Sequence, residues 1–343
     1  MLVPTRLGSM VVRLMVELGF AWHHSKQPKH ARADFEDMLA RNCNSVLIAA
    51  SEDDIEYWYP NLVEIIEEAK NVGLRVWLNF WAFGGVFGGE PPSMFLHQNH
   101  SNRQITAESK MSVPAACINR KEFRDYFLTR VREVVSQTKT DGVFIDEPHF
   151  YPVFDMSEFT CTCDVCQTKY QEQVGAPMPT EYDKSVRAFR EQSMHDFLVD
   201  ICKTVKQARK GAETCVCVIP ETMESMGTPD WDRIASIREV DMFSTDPYFS
   251  VFGEERPWAL EVAKRTIDTA RKYRKRSQLW LQMFRLPSGQ EKAVASLVPE
   301  YAKLGVDSIF GWCYLANKGT TIASDEPELL WDLVTQEYKK LRK

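Results

Sequence analysis

The chain has 343 residues, a formal net charge of −6, and 44% apolar against 26% charged residues. That balance belongs to a globular protein with room for one large α/β barrel or two ordinary domains. The acidic excess and the scattering of Lys and Arg argue against a nucleic-acid partner, and no apolar run is long enough to imply a membrane partner.

The one basic run, Arg271 to Arg276, suits a helix end, where cations favour the dipole. Nine cysteines without regular framework spacing suit a reducing cytoplasm better than a disulfide scaffold. The apolar N-terminal stretch is broken by Arg13 and Glu17, so a secretory signal is not expected and a cytoplasmic location is. Cys43, Cys202, Cys215, Cys217 and Cys313 read as small core residues. A homo-oligomer is compatible with this composition, which does not specify one.

Strand-like runs alternate with amphipathic helical stretches along the whole chain. Residues 11–19 read as the first strand, with Trp22, His23 and His24 at its exit, and a helix follows over 31–41. The second strand is predicted over 45–50 and its helix over 62–71, closed by Gly73. Residues 75–80 make the third strand, whose exit carries Asn79, Trp81 and the glycine-rich run from Gly84 to Gly89. No Lys-Ser/Thr pair follows those glycines, so they read as a mobile loop over a site, running to about Cys117, and not as a phosphate cradle.

A helix over 120–137 leads into the central strand, 142–145, which ends in Asp146, Glu147 and Pro148 and is followed by His149 and Tyr151. Further strands are predicted over 215–219, 240–244, 278–284 and 308–314, and helices over 186–209, 258–273, 291–304 and 328–341. The strand exits hold Glu221, then Asp246 and Tyr248, then Gln282, then Trp312 and Asn317. Eight strand–helix units without a linker predict a single (β/α)8 TIM barrel over residues 1–343, with a cysteine-rich excursion at about 155–180 after the fourth strand.

In such a barrel the strand exits line one pocket. Trp22, His23, Asn79, Trp81, His149, Tyr151, Tyr248, Gln282, Trp312 and Asn317 are the expected substrate-binding set, with the acids Asp146 and Glu221. Aromatic faces accept the apolar face of a pyranose, and amides and carboxylates accept its hydroxyls, so a carbohydrate is the expected substrate. Trp77 and Trp280 read as packing. Glycoside hydrolysis generally needs two carboxyl groups. Glu147 is the expected general acid, and Asp246 is preferred as its partner because it repeats the strand–acid–proline–aromatic pattern; Glu221 and Asp146 are alternatives. Strand alternation would turn Asp146 and Glu147 to opposite sides, leaving one to face substrate. A non-hydrolytic carbohydrate-binding barrel, or a sugar-directed lyase or isomerase using His23 and His24, is the competing reading.

Three thiols in six positions, Cys161, Cys163 and Cys166, resemble one knuckle of a zinc site, and Cys117 is a candidate fourth ligand that spacing alone does not select. The segment CTCDVCQTKYQEQVG resembles the zinc motif of glycoside hydrolase family 42 β-galactosidases. There a Cys-x-Cys-x-x-Cys follows the fourth strand and an upstream cysteine completes the site. The resemblance implies a structural zinc held by Cys117, Cys161, Cys163 and Cys166, and a strand-four acid/base at Glu147. The chain departs from the family pattern at two places. Asp146 stands where the family has asparagine, and Gln282 lies in the strand that carries the family's nucleophilic glutamate.

Overall fold

Unbroken apolar runs flanked by amphipathic helices form parallel strands buried on both faces. In the computed structural model, which describes residues 16–152, 158–220 and 226–342, such strands close into a barrel. The strands are β1 Glu17–Trp22, β2 Ser45–Ala50, β3 Arg75–Phe80, β4 Arg103–Ile105, β5 Ser112–Ala116, β6 Gly142–Asp146, β7 Glu213–Val218, β8 Met242–Thr245, β9 Arg276–Gln282 and β10 Ser308–Trp312. All but β4 and β5 belong to the barrel, in which every neighbouring pair is parallel and β10 closes against β1. The helices are α1 Pro28–Ala40, α2 Glu52–Glu56, α3 Tyr59–Val72, α4 Met94–Gln98, α5 Lys121–Gln137, α6 Asp164–Val174, α7 Lys184–Ala208, α8 Trp231–Ala235, α9 Arg256–Lys272, α10 Glu291–Leu304 and α11 Pro327–Leu341. The fold is the predicted (β/α)8 barrel.

Two expectations shift. The first strand was expected over 11–19. Residues 11–15 of it lie outside the described residues, and β1 runs on to Trp22, so alternation sends Ala21 into the barrel and Trp22 into the helix layer. The segment after β3 is not one long loop. It contains α4 and the antiparallel β4–β5 hairpin, and the buried Glu52 carboxylate accepts from the Gly84 N–H (2.8 Å), the Phe95 N–H (2.6 Å) and the Ser93 hydroxyl (2.7 Å). A buried anion satisfied by backbone donors ties the glycine run down, because separating them would leave the charge unsolvated.

The barrel interior is layered. At the amino ends of the strands, Glu17 accepts from the Trp77 indole (2.8 Å) and the Ser45 hydroxyl (2.7 Å) and pairs with Arg276 (2.5 Å), which also reaches Glu213 (2.9 Å). Above that ionic floor Trp280 packs between Phe144 and Phe310, with ring centroids 5.1 and 5.3 Å away. Gln278 sits between the layers, taking hydrogen bonds from Ser244 and Trp280.

Glu17→Ala should destabilise the fold by roughly 3 kcal/mol, because it leaves the buried Trp77 N–H and Ser45 hydroxyl without their acceptor and Arg276 with Glu213 alone. Urea unfolding monitored by tryptophan fluorescence checks this, and a loss below about 1 kcal/mol would remove the floor from the account of stability.

Candidate active site

The site is built where β3, β6, β7, β8, β9 and β10 end. A cleft of about 210 Å³ opens there, lined among others by Trp81, Gly88, Glu90, Asp146, Glu147, Asp246, Tyr248 and Trp312. Along β6 the alternation places Phe144 inward, Ile145 outward and Asp146 inward. Glu147 would then point away from the cleft. Its backbone instead takes a left-handed conformation, φ +39°, which breaks the alternation and brings its side chain in beside Asp146. Such a conformation is strained for a residue with a Cβ, and it persists where surroundings enforce it. Here the Glu147 N–H donates to the Cys217 carbonyl (3.0 Å), and its own carbonyl is 2.7 Å from His149 Nδ1. The expectation that only one of the two acids faces the cleft is therefore corrected.

Asp246 arrives by ordinary alternation along β8 and is buried. Its carboxyl group lines the cleft together with that of Glu147. Burial first, and the Glu147 charge second, hold Asp246 well above the usual carboxylate range. Asp146 is raised in the same way, by burial and then by Glu147, with partial relief from the Asn79 amide, which donates to it at 3.1 Å. The Cys217 thiol also points at Asp246, Sγ to Oδ1 3.9 Å. Gly88 crosses directly above: a Cβ there would lie 2.8 Å from Glu147 Oε2 and 3.1 Å from Asp146 Oδ2, and its N–H donates to the Asp146 carbonyl (3.0 Å). Any larger residue would displace the acids.

The four expected cysteines come together and are buried. Cys117 lies just past β5, and Cys163 caps α6. Cys117 Sγ is 3.4 Å from Cys166 Sγ and 3.6 Å from Cys163 Sγ. Thiolates around one tetrahedral ion with bonds of about 2.3 Å would stand about 3.8 Å apart, so the cluster has the dimensions of a closed four-sulfur site. Contacts with Cys117, then with Cys161 and Cys166, drive the Cys163 thiol far below its usual range, and the Asn119 amide reaches Cys166 Sγ at 3.3 Å. The cluster could bind a metal ion.

With this geometry established, the chain can be set beside known proteins. No family model matches it, and no curated protein does. Solved structures do. A polyextremophilic β-galactosidase from the Antarctic haloarchaeon Halorubrum lacusprofundi superposes with a TM-score of 0.73 at 12% identity, over 95% of this chain and 58% of that one. A catalytic mutant of a family 42 β-galactosidase from G. stearothermophilus gives 0.75 at 11% identity, over 95% of this chain and 56% of that one. The catalytic domain of a Paenibacillus polymyxa β-amylase gives 0.68 at 10% identity, over 95% and 99% of the two chains. The likeness is one of fold. This chain spans less than three fifths of the two β-galactosidases.

Several expected site residues stand elsewhere. Trp22 donates its indole N–H to Asp34 (2.8 Å) and packs on Phe35, away from the cleft. Gln282 is buried, and its amide braces backbone, accepting from the Val251 N–H (3.3 Å) and donating to the Phe284 carbonyl (3.2 Å). Asn79 stands behind Asp146. Tyr151 packs on the core beside Gln104, and His149 is held against the Glu147 carbonyl. His23 and Asn317 form a separate group behind Trp81. Glu221 lies outside the described residues. Glu90 and Phe252 line the cleft unforeseen, since the residues that follow strands on long connections carry no periodic signal. Trp280, expected as packing, also forms its floor.

Asp246→Asn should stabilise the protein increasingly as pH rises. Between the ordinary aspartate value of 3.8 and its raised value in the barrel, the folded state holds more protons than the unfolded chain. Wild-type stability therefore falls with rising pH through that window, and the neutral amide removes the share of the fall that Asp246 contributes, leaving that of Asp146. Melting curves of both proteins across about pH 4 to 8 test it, and parallel pH profiles would mean that Asp246 ionises as freely folded as unfolded.

Proposed function

We propose that this barrel is a glycoside hydrolase of the family 42 type, diverged in mechanism, with carbohydrate bound in the carboxyl-end cleft. The observation that carries the reading is the Glu147–Asp246 carboxyl pair, both members lining one cleft walled by Trp81, Tyr248 and Trp312. Burial and then the neighbouring Glu147 charge hold Asp246 above the usual carboxylate range, which suits it to carry a proton that a nearby carboxylate can use. Asp246, the more deeply buried partner, keeps the proton on the pair at rest. Glu147, the more accessible, passes it to the leaving oxygen and becomes the general acid. Asp246 is then the second carboxylate, available to activate water. The aromatic walls take the apolar sugar faces, and the half-exposed acids at the rim take hydroxyls.

A retaining double displacement would need a nucleophile on the far side of the sugar, with carboxyl groups about 5–5.5 Å apart. Gln282, whose amide is engaged by backbone at both ends, is no nucleophile. That same observation favours one second reading, a barrel that binds carbohydrate without cleaving it. A panel of aryl glycosides and natural oligosaccharides separates the two. The hydrolase reading expects measurable turnover and a loss of about two to four orders of magnitude in Glu147→Gln, smaller for activated leaving groups. Saturable glycan binding with no hydrolysis would establish the binding reading instead.

The four-cysteine cluster is read as a structural zinc site, closed by four thiolates and therefore without a position for substrate. Cys163→Ser should lose about one zinc per chain and lower the melting temperature, because the metal's binding free energy is also folding free energy. Elemental analysis and calorimetry check both. Unchanged zinc and unchanged melting would remove the metal from this site.

A further inference from the structure

Behind the Trp81 wall, β1 and β10 deliver a second group of donors. His23 and His24 leave β1, and Cys313 follows β10 directly. One ring nitrogen of each histidine and the Cys313 sulfur all lie within 4.8 Å of one another. His23 Nε2 is 3.4 Å from Cys313 Sγ and 3.2 Å from Asn317 Oδ1, and Cys313 Sγ is 3.0 Å from the same oxygen. The Asn317 amide is oriented by its other end, which donates to the Met283 carbonyl (3.3 Å) and turns Oδ1 towards the sulfur and imidazole. We propose that His23, His24, Cys313 and Asn317 form a second metal site, for a zinc-class divalent transition ion, separate from the four-cysteine cluster.

Three observations carry this independently. The first is distance. Donors around a tetrahedral ion with bonds near 2.1 Å stand about 3.4 Å apart. The His23–Cys313 and His23–Asn317 separations lie close to that edge, the Cys313–Asn317 separation is shorter, and a His24 ring nitrogen stands within 4.8 Å of the His23 nitrogen and the sulfur. The second is an unmet demand. Both ring nitrogens of His24 are buried and accept or donate no hydrogen bond among the described residues. An imidazole so placed lacks the partner that its buried nitrogens require, and coordination would supply one. The third is the donor chemistry. Two imidazoles and one thiolate with a carbonyl oxygen suit zinc or cobalt, and do not suit the oxygen-seeking calcium or magnesium.

Binding forms the metal–sulfur bond and breaks the Cys313 S–H bond, releasing one proton to solvent. The ion would sit behind Trp81 and Trp312, whose rings lie 4.7 and 6.3 Å from that of His23. Occupancy would stiffen one wall of the cleft without entering the carboxylate chemistry.

The test is cobalt and zinc stoichiometry of the full chain in wild type, His24→Ala, Cys313→Ser and Cys163→Ser. His24→Ala and Cys313→Ser should each bind about one equivalent fewer than wild type, and the wild-type-minus-His24→Ala difference should contain a thiolate-to-cobalt absorption band. That difference should persist in the Cys163→Ser background, which separates the two sites. Equal stoichiometry in wild type and in folded His24→Ala would overturn the proposal, leaving a hydrogen-bonded His–Cys–Asn group. Should Cys313→Ser fail to fold, His24→Ala decides alone, because its side chain is only partly buried.

Discussion

Everything at the carboxyl end of this barrel depends on the exclusion of water from its interior. Phe144, Trp280 and Phe310 fill the cross-section between the ionic floor and the carboxylates, so Asp146 and Asp246 rest on aromatic rings and not on solvent. A carboxylate deprived of water favours its neutral form, and a neighbouring anion favours it further. Both effects act here, and burial is the larger for each aspartate. An acid at the same strand end over a hydrated interior would simply be ionised. The packing that stabilises the barrel is thus also what makes its acids able to hold and give protons at higher pH.

The second constraint is backbone geometry at Glu147. A strand delivers side chains to alternate faces, and two adjacent acids cannot both enter a barrel by that rule. The left-handed turn at Glu147 solves this at a local conformational cost of order 1–3 kcal/mol. The cost is borne by contacts on both sides: Cys217 takes the Glu147 N–H, Gly88 takes the space above, and the Gly84–Gly89 run is fixed by Glu52. The approach of two carboxylates leaves room only for a glycine at 88, which places the glycine-rich run in the site.

Much of this was legible in the chain. Apolar runs ending in acids, prolines and aromatics marked the strand exits, and α10 matches its predicted span, Glu291–Leu304, since a 3.6-residue pattern closed by Gly305 is hard to mistake. The four cysteines were readable as a set only through family resemblance, because Cys117 is separated from the others by α5 and β6. What failed did so for physical reasons. Trp22 was assigned to the exit because the end of β1 was placed at Gly19; three further strand residues reverse the face to which it points. Gln282 ends its strand with an amide that backbone groups take up, and Tyr151 packs its ring on the core while its backbone N–H donates to Gln104, so neither side chain is left for substrate. Pairing of Glu147 with Asp246 could be proposed from pattern. That Glu147 would enter the cleft beside Asp146 could not, because it follows from a φ value that no residue type announces.

The cysteine cluster bears on the site through the chain that it organises. It joins the end of the β4–β5 hairpin to the start of α6, and the segment between β6 and α6 is further held by the Thr106–Thr160 bridge. Gln104 on β4 ties the two together, its Oε1 accepting from the Tyr151 N–H (3.1 Å) and the Thr160 hydroxyl (2.6 Å). Tyr151 is four residues beyond Glu147. The strained glutamate is therefore followed by a stretch whose far end is fixed to a hairpin that the cysteines fix in turn. Loosening the cluster would release that end first, and the left-handed turn at Glu147, which local propensity does not favour, would have the least support of its own. A site remote from substrate can in this way set how well the acid pair is held, by positioning and without any ligand of its own in the cleft.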